Sequence, residues 1–254
     1  MSMMKRTIFT FLILATGLWA LGNDTIPTFE EGNEFYRKGL YEKSIAVYEK
    51  ILSTGNDAPE IYYNLGNAFF RTHQIPKAIL YYEKAKRLKP NDDEINFNLN
   101  LARSRIVDKI NALPEFFLFS WSREFFHLMS PSGWALWSMV LFVLGLAGAA
   151  AYLFSSGRSA RKISFWLGLF FLFISTSFFL ISQQEKHRIT SHNDAIIMSP
   201  TVTVKSSPDE TGTELFVLHE GTKVKIDDEA GGWLEVQISD GNKGWLKESD
   251  LERI

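Results

Sequence analysis

Two long stretches without a charged residue constrain this chain more than any other feature. Residues 134–154 and 163–182 hold about 21 and about 20 residues, with no aspartate, glutamate, lysine or arginine. A helix of either length crosses a hydrocarbon layer of about 30 Å. Buried helices of water-soluble proteins are seldom this long and this free of charge. The sequence therefore predicts two transmembrane helices, and the absence of ionisable residues within them disfavours a channel or transporter.

The connection between the two runs predicts their orientation. Residues 155–162 carry Arg158, Arg161 and Lys162 and no acidic residue. Short loops rich in lysine and arginine stay in the cytoplasm. The parts of the chain on either side of the hairpin are therefore expected outside the cytoplasm. This predicts a multi-pass protein of the bacterial inner (cytoplasmic) membrane whose N-terminal and C-terminal domains lie in the periplasm.

The N-terminus has the features of a secretory signal peptide, predicted over residues 1–22. Lys5 and Arg6 precede an apolar stretch over residues 7–21, and Ala20 and Gly22 form a small-residue cleavage pattern. The alternative is an uncleaved N-terminal anchor. Both interpretations export the residues that follow, so the predicted topology is the same.

The residues after this segment repeat themselves with a period of 34 residues. Gly32 and Gly66 occupy equivalent positions in the two copies. This period is typical of helix–turn–helix repeats, and a small residue is needed where two helices cross closely. The pattern resembles the tetratricopeptide repeat (TPR) family over roughly residues 25–92. We expect an array over residues 25–111, made of two repeats and a capping helix; the alternative is that this last helix leaves an edge open for another TPR protein.

The resemblance to TPR arrays implies a groove that binds extended peptides, lined by the first helix of each repeat. Arginine and asparagine recur in it at intervals of 34 residues. The predicted peptide-binding residues are Asn33, Arg37, Tyr63, Asn67, Arg71 and Arg105. Guanidinium groups bind carboxylates through paired hydrogen bonds, so we expect an acidic segment or a C-terminal carboxylate as the ligand. The alternative is that the arginines are solvated at helix C-termini, where the helix dipole favours them.

Two further segments connect these parts. Residues 114–130 are rich in phenylalanine and are expected to form an amphipathic helix in the membrane interface. A docking surface for the membrane helix of a partner is the alternative for this segment. Residues 183–194 are polar and are expected to be a linker.

Alternation of apolar and polar residues begins in residues 195–254, where short strands and tight turns predict a small barrel. This part resembles bacterial SH3 domains in the segments VTVKSSP at 202–208 and LHEGTKV at 218–224, and in the Gly-Trp pairs at 232–233 and 244–245. Some members of that family bind cell-wall peptides and others bind protein segments. Its large aromatic residues, the candidates for an SH3-like binding surface, are Phe216, Trp233 and Trp245. For both tryptophans we favour packing in the core over ligand binding.

The predicted fold class is multidomain: an all-α TPR helical array, a two-helix transmembrane hairpin and a small all-β SH3-like barrel. The chain has no cysteine, and its five histidines are scattered. It contains neither a glycine-rich phosphate loop nor a serine nucleophile elbow. We therefore predict a non-enzymatic protein without cofactor or metal. The net charge of -2 gives no reason to expect nucleic acid as a partner.

The order of these parts resembles the Bacteroides aerotolerance (Bat) family. The stretches NLNLAR at 98–103 and LFVLHEGTKV at 215–224 strengthen the likeness. The resemblance implies protein partners: membrane proteins with von Willebrand A domains, another TPR protein and, indirectly, a MoxR-type ATPase. It also implies a scaffold role in an envelope or stress-tolerance (aerotolerance) complex. The alternative function is a membrane protein that senses cell wall or peptide through its SH3-like domain.

Overall fold

The computed structural model describes residues 27–110, 125–126, 128–191 and 193–254. The predicted signal peptide lies outside the described residues, as does most of the predicted interfacial helix. The chain forms two compact units, Met1–Asn56 and Asp57–Ile254. Each unit is described by itself.

The first unit contains a helical hairpin made of α1 (Phe29–Arg37) and α2 (Tyr41–Ser53). The two helices cross at Gly32, where a β-carbon would overlap the ring of Tyr48. Ser44 lies at the same crossing, and its hydroxyl donates a hydrogen bond of 2.9 Å to the carbonyl of Gly32. The small residues therefore allow the close approach that the repeat pattern predicts.

The second unit begins with an equivalent hairpin, formed by α3 (Pro59–Arg71) and α4 (Ile75–Leu88). A β-carbon on Gly66 would lie 2.7 Å from a ring carbon of Tyr82. Pro76 falls in the first turn of α4, where the missing N–H of proline leaves no helical hydrogen bond unmade. The two hairpins thus use the same glycine-on-tyrosine contact 34 residues apart.

The third helix of the array, α5 (Asp93–Arg103), is shorter than the predicted capping helix, which we expected to continue to residue 111. Asp92 caps it, because its carboxylate accepts the backbone N–H groups of Glu94 and Ile95. Residues 104–110 continue as turns and irregular chain. The buried residues of α5 are Ile95, Leu99 and Ala102.

Two long helices, α6 (Pro131–Phe154) and α7 (Arg158–Thr190), form an antiparallel hairpin. Their backbones approach at glycine positions: a β-carbon on Gly148 would lie 2.8 Å from the α-carbon of Gly168. Both helices are long and apolar enough to cross a membrane. Only 11% of the apolar window of each is buried within the protein, whereas the core helix of a water-soluble protein would be mostly buried.

The second of these helices is longer than predicted. We expected it to end at residue 182 and to be followed by a polar linker over residues 183–194. Instead α7 continues to Thr190. Glu185 and Arg188, one turn apart in this extension, form an ion pair of 3.0 Å that supports the helix.

The C-terminal part is a seven-stranded antiparallel sheet. Its strands are β1 (Asp194–Ile197), β2 (Thr201–Lys205), β3 (Glu214–His219), β4 (Lys223–Ala230), β5 (Trp233–Gln237), β6 (Lys243–Lys247) and β7 (Leu251–Arg253). They pair in the order β3-β2-β6-β5-β4-β1-β7. Inward-facing residues form one core, which includes Val204, Leu218, Val236 and Leu246. Strand periodicity thus places an apolar core here, as the sequence predicts.

Candidate protein-interaction surfaces

Four side chains on α3, α4 and α5 form a hydrogen-bonded group that we call the amide cluster: Tyr63, Asn67, Tyr82 and Asn98. Tyr82 donates its hydroxyl to Asn67 Oδ1 at 2.7 Å. Asn98 Nδ2 donates to the hydroxyl oxygen of Tyr63 at 2.6 Å and to Asn67 Oδ1 at 3.3 Å. The cluster brings together two of the predicted groove residues, Tyr63 and Asn67. It adds Asn98, which sequence reasoning missed.

The amide cluster can both donate and accept a hydrogen bond outside itself. The oxygen of Tyr63 accepts from Asn98, so its hydroxyl hydrogen remains to donate. Asn98 uses its amide nitrogen for both bonds, and its carbonyl oxygen accepts none from the described part of the chain. Both residues are half-buried, which restricts their motion. An extended peptide offers one C=O and one N–H per residue, which are the groups this pair of side chains can bind.

The first repeat contains the same tyrosine–asparagine contact. Tyr48 donates its hydroxyl to Asn33 Oδ1 at 2.6 Å. Asn33 also donates to the carboxylate of Glu30 at 3.4 Å. The predicted groove residue Asn33 is therefore oriented by its own second helix, in the way that Asn67 is oriented by Tyr82.

An aromatic residue recurs four residues before each of these positions. The rings of Phe29 and Tyr48 lie 5.9 Å apart, and those of Tyr63 and Tyr82 lie 6.0 Å apart. The third member, Phe97 on α5, is 68% exposed. It is exposed because no helix follows α5 to provide an equivalent tyrosine within the described residues.

The three predicted arginines do not occupy one helical position. Arg37 and Arg71 are the last residues of α1 and α3, but Arg105 lies two residues beyond the end of α5. Arg37 also forms an exposed ion pair of 2.8 Å with Glu30, and its hydrogen bond lowers the pKa of that carboxyl. The 34-residue period of arginine therefore does not continue as a regular stripe into the third helix.

The amino ends of α3 and α5 border a cleft of about 130 Å³. Its lining residues are Pro59, Glu60, Tyr63, Lys89, Asp92, Glu94 and Ile95. Lys89 pairs with Asp92 at 2.8 Å, and its hydrogen bond lowers the pKa of that carboxyl. Glu60 and Glu94 leave the cleft acidic. This end of the surface is unsuited to a carboxylate ligand, which would be bound only toward the arginine end.

The tryptophans of the barrel differ from our expectation. Leu234, Val236 and Leu246 point into the core, and alternation along β5 and β6 places Trp233 and Trp245 on the opposite, half-buried face. Phe216, in contrast, packs against the core.

Two lysines from neighbouring strands flank the outward tryptophan face. The ammonium groups of Lys205 and Lys247 each lie 5.7 Å from the ring centroid of Trp233, a cation–π distance. Glu210 forms an ion pair with both lysines. The tryptophans therefore belong to an exposed aromatic and basic surface, and Phe216 is excluded from it.

The geometry defines a helical-repeat protein with an appended SH3-like barrel, and comparison with known families agrees. The chain matches the family described as "TPR repeat" over residues 32–73 and the tetratricopeptide repeat over residues 59–92. It matches the bacterial SH3 domain over residues 200–252. No curated protein gives a significant match. The predicted fold class is therefore confirmed, and TPR repeats indicate that the chain binds other proteins.

Metal chemistry finds no support in the described residues. Among them, no group of three or more histidine, aspartate or glutamate side chains is arranged to hold a metal ion.

Proposed function

We propose that this protein is a non-enzymatic scaffold of the bacterial inner membrane that binds an extended segment of a protein partner through its TPR surface. The observation that carries the proposal is the amide cluster, in which Asn98 orients Tyr63 and Asn67. Groups held in place before binding lose less conformational entropy when a ligand binds. A peptide backbone is the ligand that such a donor and acceptor pair suits.

The charges on this surface suggest the direction of the bound segment. Acidic side chains surround the amino ends of α3 and α5, whereas Arg71 and Arg105 lie at or beyond their carboxyl ends. A segment with a carboxylate at one end and a basic or neutral group at the other would complement both ends. The C-terminus of a partner remains our proposed ligand, with its carboxylate toward the arginines.

The proposed location follows from the hairpin and its connection. Apolar side chains of α6 and α7 are largely exposed, which suits contact with lipid. Arg158, Arg161 and Lys162 lie at the bend between the helices, and basic residues favour the cytoplasmic side. We therefore place the repeats and the barrel together in the periplasm.

The order of the domains also suggests a particular complex. We propose that the chain acts as the BatE protein of the Bat family does, in an envelope or aerotolerance complex. The proposed partners are membrane proteins with von Willebrand A domains, another TPR protein and, indirectly, a MoxR-type ATPase. The TPR repeats support protein partners as a class.

Affinity purification of the full chain from native membranes tests the groove. Asn98→Ala removes the hydrogen bonds to Tyr63 and Asn67, and we expect recovery of the main partner to fall about tenfold, the effect of about 1.4 kcal/mol. Asn100→Ala is the matched control, because Asn100 lies on the same helix, is exposed and is outside the amide cluster. Quantitative mass spectrometry of the purified complexes measures the recovery.

Two outcomes would count against a groove-based scaffold. One is equal recovery of all partners with Asn98→Ala and the wild type while circular dichroism shows both folded. The other is an equal loss with Asn100→Ala, which would indicate a general effect on α5. Tyr63→Phe provides a second check, since it removes only the hydroxyl of the cluster.

A second candidate function is recognition of cell wall or peptide through the barrel. The outward face with Trp233, Trp245 and two lysines favours it, and a bacterial SH3 domain suggests a cell-wall-binding role. The detergent-solubilised full chain can be sedimented with insoluble peptidoglycan. Co-sedimentation that is lost with Trp233→Ala but kept with Asn98→Ala would favour this alternative.

A further inference from the structure

The second helices of the two repeats differ in burial at equivalent positions. Glu49 on α2 is exposed, whereas Glu83, its counterpart on α4, is only 4% exposed. Ala46 is likewise exposed, whereas Leu80 is fully buried. A face of α4 that α2 leaves in solvent is therefore covered by another part of the second unit.

The turn between β3 and β4 of the barrel covers that face. Gly221 lies in this turn with a φ of +84°, and a β-carbon there would lie 3.2 Å from Ile79 Cδ1 and 2.5 Å from Ile106 Cγ2. Only glycine suits both the left-handed backbone and the lack of space. The barrel is thus in van der Waals contact with α4 and with the chain that follows α5.

Buried charges join the same surfaces. Glu83 on α4 forms ion pairs with Lys223 of β4, at 3.1 Å, and with Arg103 at the end of α5. Burial by itself would raise the pKa of Glu83, but the two cations outweigh it and hold that pKa below its ordinary value. Removing one partner of such a buried pair leaves an uncompensated charge, so the contact specifies one arrangement of barrel and repeat.

A second polar contact lies at the segment after α5. Asp108 accepts the backbone N–H and the ring Nδ1 of His219 and the hydroxyl of Thr222, each at 2.7 Å. Burial opposes ionisation of this carboxylate, but the three hydrogen bonds prevail and lower its pKa. All three donors belong to the turn around Gly221. The LHEGTKV segment that marks the SH3 resemblance is therefore used to bind the chain's own repeat.

We propose that the barrel is the C-terminal cap of the repeat array and that it covers the second repeat where a third complete repeat would otherwise do so. Repeat arrays need a capping element, because the last unit exposes an apolar face. Here the cap covers α4 and leaves the amide cluster open. The docked turn is unavailable to an external ligand, and the barrel's free surface is the face with Trp233. This inference is independent of what the groove binds.

A wedge in the interface tests the cap, with the full chain in lipid nanodiscs. Gly221→Leu inserts a side chain between the barrel and α4. Gly232→Leu is the matched control, since Gly232 has a similar φ of +80° but no atom within 4 Å of a β-carbon. Both variants carry the same backbone strain. We expect amide hydrogen exchange in α4 to accelerate about tenfold with Gly221→Leu and to be unchanged with Gly232→Leu.

Equal exchange in α4 for the wild type and the wedge variant would overturn the cap. A cross-link covers the case in which the wedge unfolds the barrel. The β-carbon positions of residues 106 and 221 are 3.6 Å apart, within the range of a disulfide, and the chain has no native cysteine. Ile106→Cys with Gly221→Cys should oxidise to one intramolecular disulfide in membranes, whereas Ile106→Cys with Gly232→Cys should not. Failure of the first pair, or equal yield from both, would contradict the docking.

Discussion

Replacing Tyr82 by alanine is expected to lower the free energy of unfolding of the second repeat by about 3–5 kcal/mol, as for other buried aromatic residues. Tyr82 is almost fully buried beneath Gly66, and its hydroxyl orients Asn67. Truncation leaves a cavity between α3 and α4 that glycine cannot fill. Hydrogen exchange of the amides in α3 and α4 measures the loss in the full chain.

Tyr82→Phe is the matched control for this change. It keeps the ring and removes only the hydrogen bond to Asn67, so a loss of about 1 kcal/mol is expected. Equal losses for the two variants would show that the ring does not hold the helices together. An alanine variant with wild-type exchange would contradict the glycine-on-tyrosine packing altogether.

Gly148→Leu is expected to separate the two apolar helices. The β-carbon of any side chain at position 148 would lie 2.8 Å from the backbone of Gly168, so no rotamer relieves the overlap. Overpacking of this kind costs about 1–3 kcal/mol. Ser138 and Ser175, whose hydroxyls lie 3.4 Å apart, provide the reporter when both are replaced by cysteine. The initial rate of disulfide formation between them should fall about tenfold in the Gly148→Leu background.

The control for the hairpin is Gly157→Leu, at the bend between the helices. A β-carbon there has only Ala160, at 3.8 Å, as a neighbour. Disulfide formation should proceed at the unmodified rate in this variant. A Gly148→Leu protein that forms the disulfide as fast as the Gly157→Leu protein would contradict the observed helix packing.

Features with a local period could be predicted from the sequence. The 34-residue spacing of Gly32 and Gly66 predicts close helix crossings, and both glycines lie against tyrosine rings. The uncharged runs predict two long apolar helices, and alternation predicts the strands of the barrel. Each pattern reflects which face of a helix or strand is buried, and that is encoded within a few residues.

Contacts between distant segments could not be predicted in this way. Glu49 and Glu83 occupy the same repeat position, yet only Glu83 is buried, because a turn about 140 residues later covers it. The role of Asn98 depends on the stacking of α5 on α3. The outward direction of Trp233 depends on the register of β5, which tryptophan as a residue type does not reveal.

The interpretation of this protein as a periplasmic scaffold depends most on the side of the membrane that each part occupies. Single cysteines at Ser53, Ser159 and Ser206, all exposed in the structure, can be probed with a membrane-impermeant thiol reagent in spheroplasts. We expect cysteines in place of Ser53 and Ser206 to be labelled in intact spheroplasts, and the cysteine in place of Ser159 only after lysis. Protection of either folded part, or labelling at position 159 before lysis, would contradict the proposed topology.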